Sequence, residues 1–140
     1  MSATCIEAPA TTSTAPSRGA LLRGGGAATV IAAVATATVA AAGQAVGISS
    51  AVADAPIPAS GFAVLTVIFS LLGLGIALGL RRFARSPRTA WIRTTVALTA
   101  LSLVPDVLAD ADTSTKALLM VTHVVAAAIV IPAVARRLPA

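Results

Sequence analysis

Five of the polar residues in the last two apolar stretches of the chain could do chemistry together. Thr95, Thr99, Ser102 and Asp106 follow the spacing i, i+4, i+7, i+11. On a helix that spacing puts all four on one face. The fifth is His123, the only histidine, inside LLMVTHVVAAAIVIPAVARRL, residues 118–138. An imidazole beside a carboxylate can exchange a proton near neutral pH. An imidazole beside a hydroxyl or a free carbonyl can hold two helices in register. A metal site is not expected, because one histidine and scattered aspartates supply too few ligands. Nor is catalysis: no cysteine, serine or carboxylate has a base placed beside it, and no cofactor motif occurs.

These residues need elements to carry them, and the composition says which. Of 140 residues, 57 % are hydrophobic and 11 % charged, against roughly 25 % charged in ordinary soluble domains. Four apolar stretches run from about 27 to 47, 60 to 80, 90 to 109 and 117 to 135. Each is about 20 residues long and, as a helix, spans the ~30 Å hydrocarbon core of a bilayer. The expected fold is an all-α integral membrane protein, an antiparallel bundle of four transmembrane helices over residues 20–140. Short connections, ISSAVADAPIP, RRFARSPRT and DADTSTK, make sequential helices antiparallel. Residues 1–19, rich in Ser, Thr, Ala and Pro, read as a disordered cytoplasmic tail. Within it Cys5, the only cysteine, can form no intrachain disulfide.

The first stretch has a second reading. Arg18 and Arg23 precede an alanine-rich run that ends in small residues, as in a cleaved signal peptide. The long polar segment ahead of the arginines and the length of the run favour a retained helix.

Charge orients the bundle. The net charge is +5, with nine arginines and Lys116. Arg18, Arg23, Arg81, Arg82, Arg85, Arg88, Arg93, Arg136 and Arg137 all fall on one side of a four-helix topology. Asp54, Asp106, Asp110 and Asp112 fall on the other, with Lys116. The positive-inside rule puts both termini in the cytoplasm and the protein in a bacterial plasma membrane, with Phe83 and Trp91 near the cytoplasmic interface. The basic residues flank apolar runs and form no long stripe, so nucleic acid is not an expected partner. The bilayer is, and a second copy or another membrane protein could be.

Small residues mark where helices could meet, because close packing drives association in lipid. In the second stretch Thr66, Ser70, Gly73 and Ala77 share a face, and Gly75 and Gly79 form a GxxxG pair, as do Gly43 and Gly47. Packing within one bundle is the first reading; oligomerisation or a pore lining is the other. Pro105 frees the Leu101 carbonyl and Pro132 the Ala128 carbonyl. His123 is expected about 9 Å inside the fourth helix and Asp106 near the outer end of the third, so both lie in the outer half of the membrane, where a hydrogen bond between them is geometrically possible. Two readings stand: a proton-responsive His123–Asp106 pair, or a neutral histidine bonded to a hydroxyl such as that of Ser102.

The segments SLVPD and MVTHVVAAAIVIPAVARRLP resemble an uncharacterised family of four-helix actinobacterial membrane proteins, a domain of unknown function, over about residues 20–139. That family has an SLVPP-like segment, a histidine at the position of His123 and a proline at that of Pro132. Here Asp106 follows Pro105 where the family commonly has a second proline. The resemblance implies a plasma membrane location and no assigned activity. The expected role is a structural or interaction subunit without catalysis; the alternative is a small proton-coupled transporter or channel. Small multidrug exporters, also four-helix proteins, depend on a buried acid in their first helix, where this chain has only Gln44.

Overall fold

The computed structural model describes residues 17–140. Most of the expected N-terminal tail therefore lies outside the described residues. The rest folds as α1 (Arg18–Ala45), β1 (Ala51–Val52), β2 (Ala55–Pro56), α2 (Ala59–Phe83), α3 (Pro87–Leu108) and α4 (Thr113–Ala135). All four helices are long and apolar enough to cross a membrane. Their outward faces carry Val30, Phe69, Leu72, Leu101 and Val124, each about half exposed or more. In water such a surface would be a liability; lipid solvates it.

The helices are longer than the apolar stretches, for local reasons. α1 starts at Arg18, not near Ala27, because the Ser17 side chain caps it: Oγ accepts from the Ala20 N–H at 3.1 Å. The Gly24–Gly25–Gly26 run stays helical because Gly25 is a packing site: a Cβ built there would lie 2.6 Å from Leu74 Cδ1. α2 continues through Arg81 and Arg82, and α3 begins on Pro87, whose missing N–H costs nothing at a first helical position. Only residues 84–86 connect them. Pro105 and Pro132 both sit inside continuous helices.

The connection after α1 is more ordered than a plain loop. Ala51 pairs with Pro56 and Val52 with Ala55 in an antiparallel hairpin. Its two turn residues, Ala53 and Asp54, have φ of 48° and 63°, as a tight type I′ turn requires. Asp tolerates that region and Ala does so poorly. The Ala53 N–H is tied to the Asp110 carbonyl at 2.9 Å, which fixes the hairpin to the α3–α4 connection. Beneath it, Gln44 Nε2 donates to Ser50 Oγ at 2.8 Å and to the Ile57 carbonyl at 3.1 Å. Thr115 Oγ1 donates to the Ser49 carbonyl at 2.6 Å.

α1 is the hub. It packs most extensively against α2 and α4, while α3 lies against α4 and, less closely, α2. At the arginine end, Leu21, Leu74, Ala77, Trp91, Val134 and Leu138 form the main core; at the aspartate end, Ala40, Phe62 and Leu119 form a smaller one. Trp91 is 1 % exposed and donates from Nε1 to the Ile131 carbonyl at 3.0 Å. It is a core residue, against the expectation of an interfacial one. Phe83 does stay on the surface, with the Arg82 guanidinium 5.6 Å from its ring centre.

Candidate functional site

α3 and α4 bring the histidine and the aspartate together. Asp106 stands in the last turn of α3 and is 7 % exposed. α4 begins at Thr113, four residues before its apolar stretch, so His123 lies ten residues into it. At 1.5 Å per residue that is about 15 Å from the helix start, deeper than the 9 Å read from the sequence. The α4 N-terminus runs well past the end of α3, and this stagger sets the two side chains level. His123 Nδ1 is 2.8 Å from Asp106 Oδ2.

The same nitrogen has a second acceptor, the Leu119 carbonyl at 3.1 Å. The ring N–H points more nearly at that carbonyl, and Asp106 Oδ2, though closer, has no well-directed donor and is buried. The chemistry favours the carboxylate. Leu119 O already receives the Thr122 hydroxyl at 2.7 Å, and helix geometry assigns it the His123 amide as well. A carbonyl oxygen has two lone pairs; the imidazole would be a third donor. A small ring rotation would turn the Nδ1 proton to Oδ2 and satisfy Asp106, the one buried carboxylate among the described residues.

The hydroxyls expected beside them are directed elsewhere. Thr95 donates to the Trp91 carbonyl at 2.7 Å, Thr99 to the Thr95 carbonyl at 2.8 Å and Ser102 to the Thr99 carbonyl at 2.7 Å. The polar stripe of α3 is thus satisfied by its own backbone, a habit of Ser and Thr inside helices. Ser102 is not the histidine's partner. Access is uneven: 40 % of the His123 side chain is exposed against 10 % of Asp106. Towards the arginine end the pair adjoins a groove of about 560 Å³ between α3 and α4, lined by Val96, Thr99, Ala100 and Leu103 on one side and by Val124, Ala127, Ala128, Ile131 and Pro132 on the other. Among the described residues no three potential metal ligands cluster.

The small residues of α2 divide. Ser70 is buried, and a Cβ on Gly73 would touch the Trp91 ring at an ordinary 3.5 Å. Gly75 and Gly79 meet nothing within 4 Å. Within this chain they do not pack a neighbouring helix, which corrects that half of the expectation. The tight glycines are on α1: Gly25 against Leu74, and Gly43, where a Cβ would come within 2.9 Å of Leu118 Cδ1. Gly47 is no packing residue either; its φ of +85° ends α1, and the Ile48 N–H closes on the Gly43 carbonyl at 2.9 Å. Reasoning from the sequence missed Gly25, which lay ahead of the assumed helix start. It also missed the Thr36–Thr66 hydroxyl bond of 2.9 Å that joins α1 to α2; threonine at a helix-facing position was the available signal.

Comparison with curated proteins finds no match, and comparison with solved structures finds none. A family model does match, from residue 16 to residue 140, and so covers the whole bundle with its His123–Asp106 contact: the chain belongs to DUF6069, a family of unknown function.

Proposed function

We propose that this protein is a non-catalytic subunit of a bacterial plasma membrane, structural or interaction-mediating, with both termini in the cytoplasm. The supporting observation is where its intramembrane polar groups go. Thr29, Thr36, Thr38, Thr95, Thr99, Ser102 and Thr122 donate to carbonyls of their own helices, and Trp91 donates across to α4. His123 and Asp106 meet each other. The hydroxyls turn to their own backbones and leave no row of free donors along a path, while Trp91 and the His123–Asp106 contact reach from one helix to the next. In lipid, polar contacts of this kind fix which helix faces pair. The His123–Asp106 contact then acts as a clasp that keeps the outer end of α3 on α4.

A second reading has one specific observation behind it. An ionisable pair inside a membrane is a candidate proton site, and His123 is the open member of this one. On that reading the protein is a small proton-coupled transporter or channel. Proteoliposomes carrying a pH-sensitive dye separate the two. Under an imposed proton gradient the structural reading expects the same dye response with wild type, His123→Gln and empty vesicles. A proton flux that wild type supports and His123→Gln abolishes would overturn it.

A further inference from the structure

The arginine end of the bundle has charge without counter-charge. Nine arginines gather there, and the aspartates of the described residues lie on the other end or, for Asp106, within the membrane beside His123. Eight of the nine can extend into water or the interface. Arg81 is different. It follows Ser70, Leu74 and Ala77 along the buried face of α2, at the spacing i, i+4, i+7, i+11. Ala77 is fully buried and Leu74 nearly so, in the main core cluster. Arg81 therefore projects from the inward face one turn beyond that core. It is half-buried, and its Nη1 is enclosed with no hydrogen-bond partner. A guanidinium stays charged at any physiological pH, and a desolvated charge without a partner is costly.

We propose that the arginine end holds the phosphate of one anionic phospholipid, with Arg81 as its central ligand. The guanidinium charge is spread over three nitrogens, so an anion on the half-open side of Arg81 neutralises the group as a whole. Guanidinium and phosphate match in bidentate geometry. Arg81 stands one helical turn beyond the core cluster, near the arginine end of α2, and basic pockets between helices are known headgroup sites. A second arginine borders the same core. Arg137 lies over α1 at Gly24, where a Cβ would be 3.2 Å from its Nε. Its side chain is laid along the bundle end.

The test is thermal unfolding of the full chain in a neutral detergent, with added phosphatidylglycerol or phosphatidylcholine. Wild type is expected to gain about 5 °C or more from saturating phosphatidylglycerol and little from phosphatidylcholine. Arg81→Gln should lose most of that gain, and Arg81→Lys should keep part of it if Arg81→Gln proves too unstable to read. Arg82→Gln makes the same charge change at an exposed position and should keep the gain. Equal losses in Arg81→Gln and Arg82→Gln would overturn the site in favour of diffuse surface charge. An equal gain from inorganic phosphate alone would overturn the lipid as its source. No difference between the two lipids refutes it outright.

Discussion

The clasp between α3 and α4 predicts an asymmetry between its two members. In His123→Leu, Asp106 loses the imidazole Nδ1, its one side-chain partner within 4 Å among the described residues, and its buried Oδ2 has no other donor. A buried polar group stranded without a partner costs about 1–3 kcal/mol in water-soluble proteins. Polar contacts in membrane bundles have measured worth of about 0.6 kcal/mol on average and 1.7 at most. A cost of about 2 kcal/mol is expected, because the buried Asp106 carboxyl is left without a partner while the membrane average comes from all hydrogen bonds. In Asp106→Leu the histidine keeps the Leu119 carbonyl and a side chain that is 40 % exposed. Its loss should be below about 1 kcal/mol. Asp106→Asn should be milder still, since an amide oxygen accepts from the same Nδ1–H. The double variant His123→Leu/Asp106→Leu removes the stranded polar group, so it should be more stable than His123→Leu alone, a coupling of about 1–2 kcal/mol. Trp91, the single tryptophan and 1 % exposed, is a built-in fluorescence probe. For a chain this long, 2 kcal/mol corresponds to a fall of about 6–10 °C in Tm. If Asp106→Leu costs as much as His123→Leu, or the two costs simply add, the carboxylate does not depend on the imidazole and the clasp is wrong.

Two further outcomes follow from packing and charge. Gly25→Val should destabilise by about 1–3 kcal/mol, because its Cβ would press on Leu74 within the main core; Gly75→Ala, at an open position, should be neutral or gain up to about 1 kcal/mol of helix propensity. A clear loss in Gly75→Ala under the same thermal assay would mean that this surface has a partner in the preparation. Reporter fusions after Arg88 and at the C-terminus should read as cytoplasmic, and fusions near Asp54 and Asp112 as external; the reverse pattern would sink the proposed orientation.

The four helices were legible because apolar length is a strong signal, and the termini were less so. Ser17 as a cap and Pro87 as a first residue moved two boundaries outward, both by rules that a hydrophobicity window does not see. The His123–Asp106 meeting was visible as a possibility, since sequential antiparallel helices align their polar interruptions. What could not be read was the stagger, which depends on where α4 starts and on the hairpin that ties Ala53 to Asp110. The sequence also suggested that hydroxyls at helical spacing would face the histidine. Their donors turn instead to carbonyls one turn back, a choice made by each residue's rotamer. The helix-two glycines show the same limit: GxxxG says that a backbone can be approached, and only three-dimensional packing says whether anything approaches it.

The position of α1 as hub has a consequence for how the chain is made. α1 emerges first, yet one of its two main partners, α4, emerges last. Until then the surface around Gly43, shaped to take Leu118, stays uncovered. α1 is also less hydrophobic than α2 and α4, with Thr29 and Thr36 on its buried side. A helix with a weaker claim on the bilayer than either of its main partners must therefore wait longest for its closing neighbour during synthesis. Its first companion, α2, is joined to it through Thr36 and Thr66 and through Leu74 on Gly25. The α1–α2 pair is the natural early assembly, and α4 completes it by arriving on a face already formed.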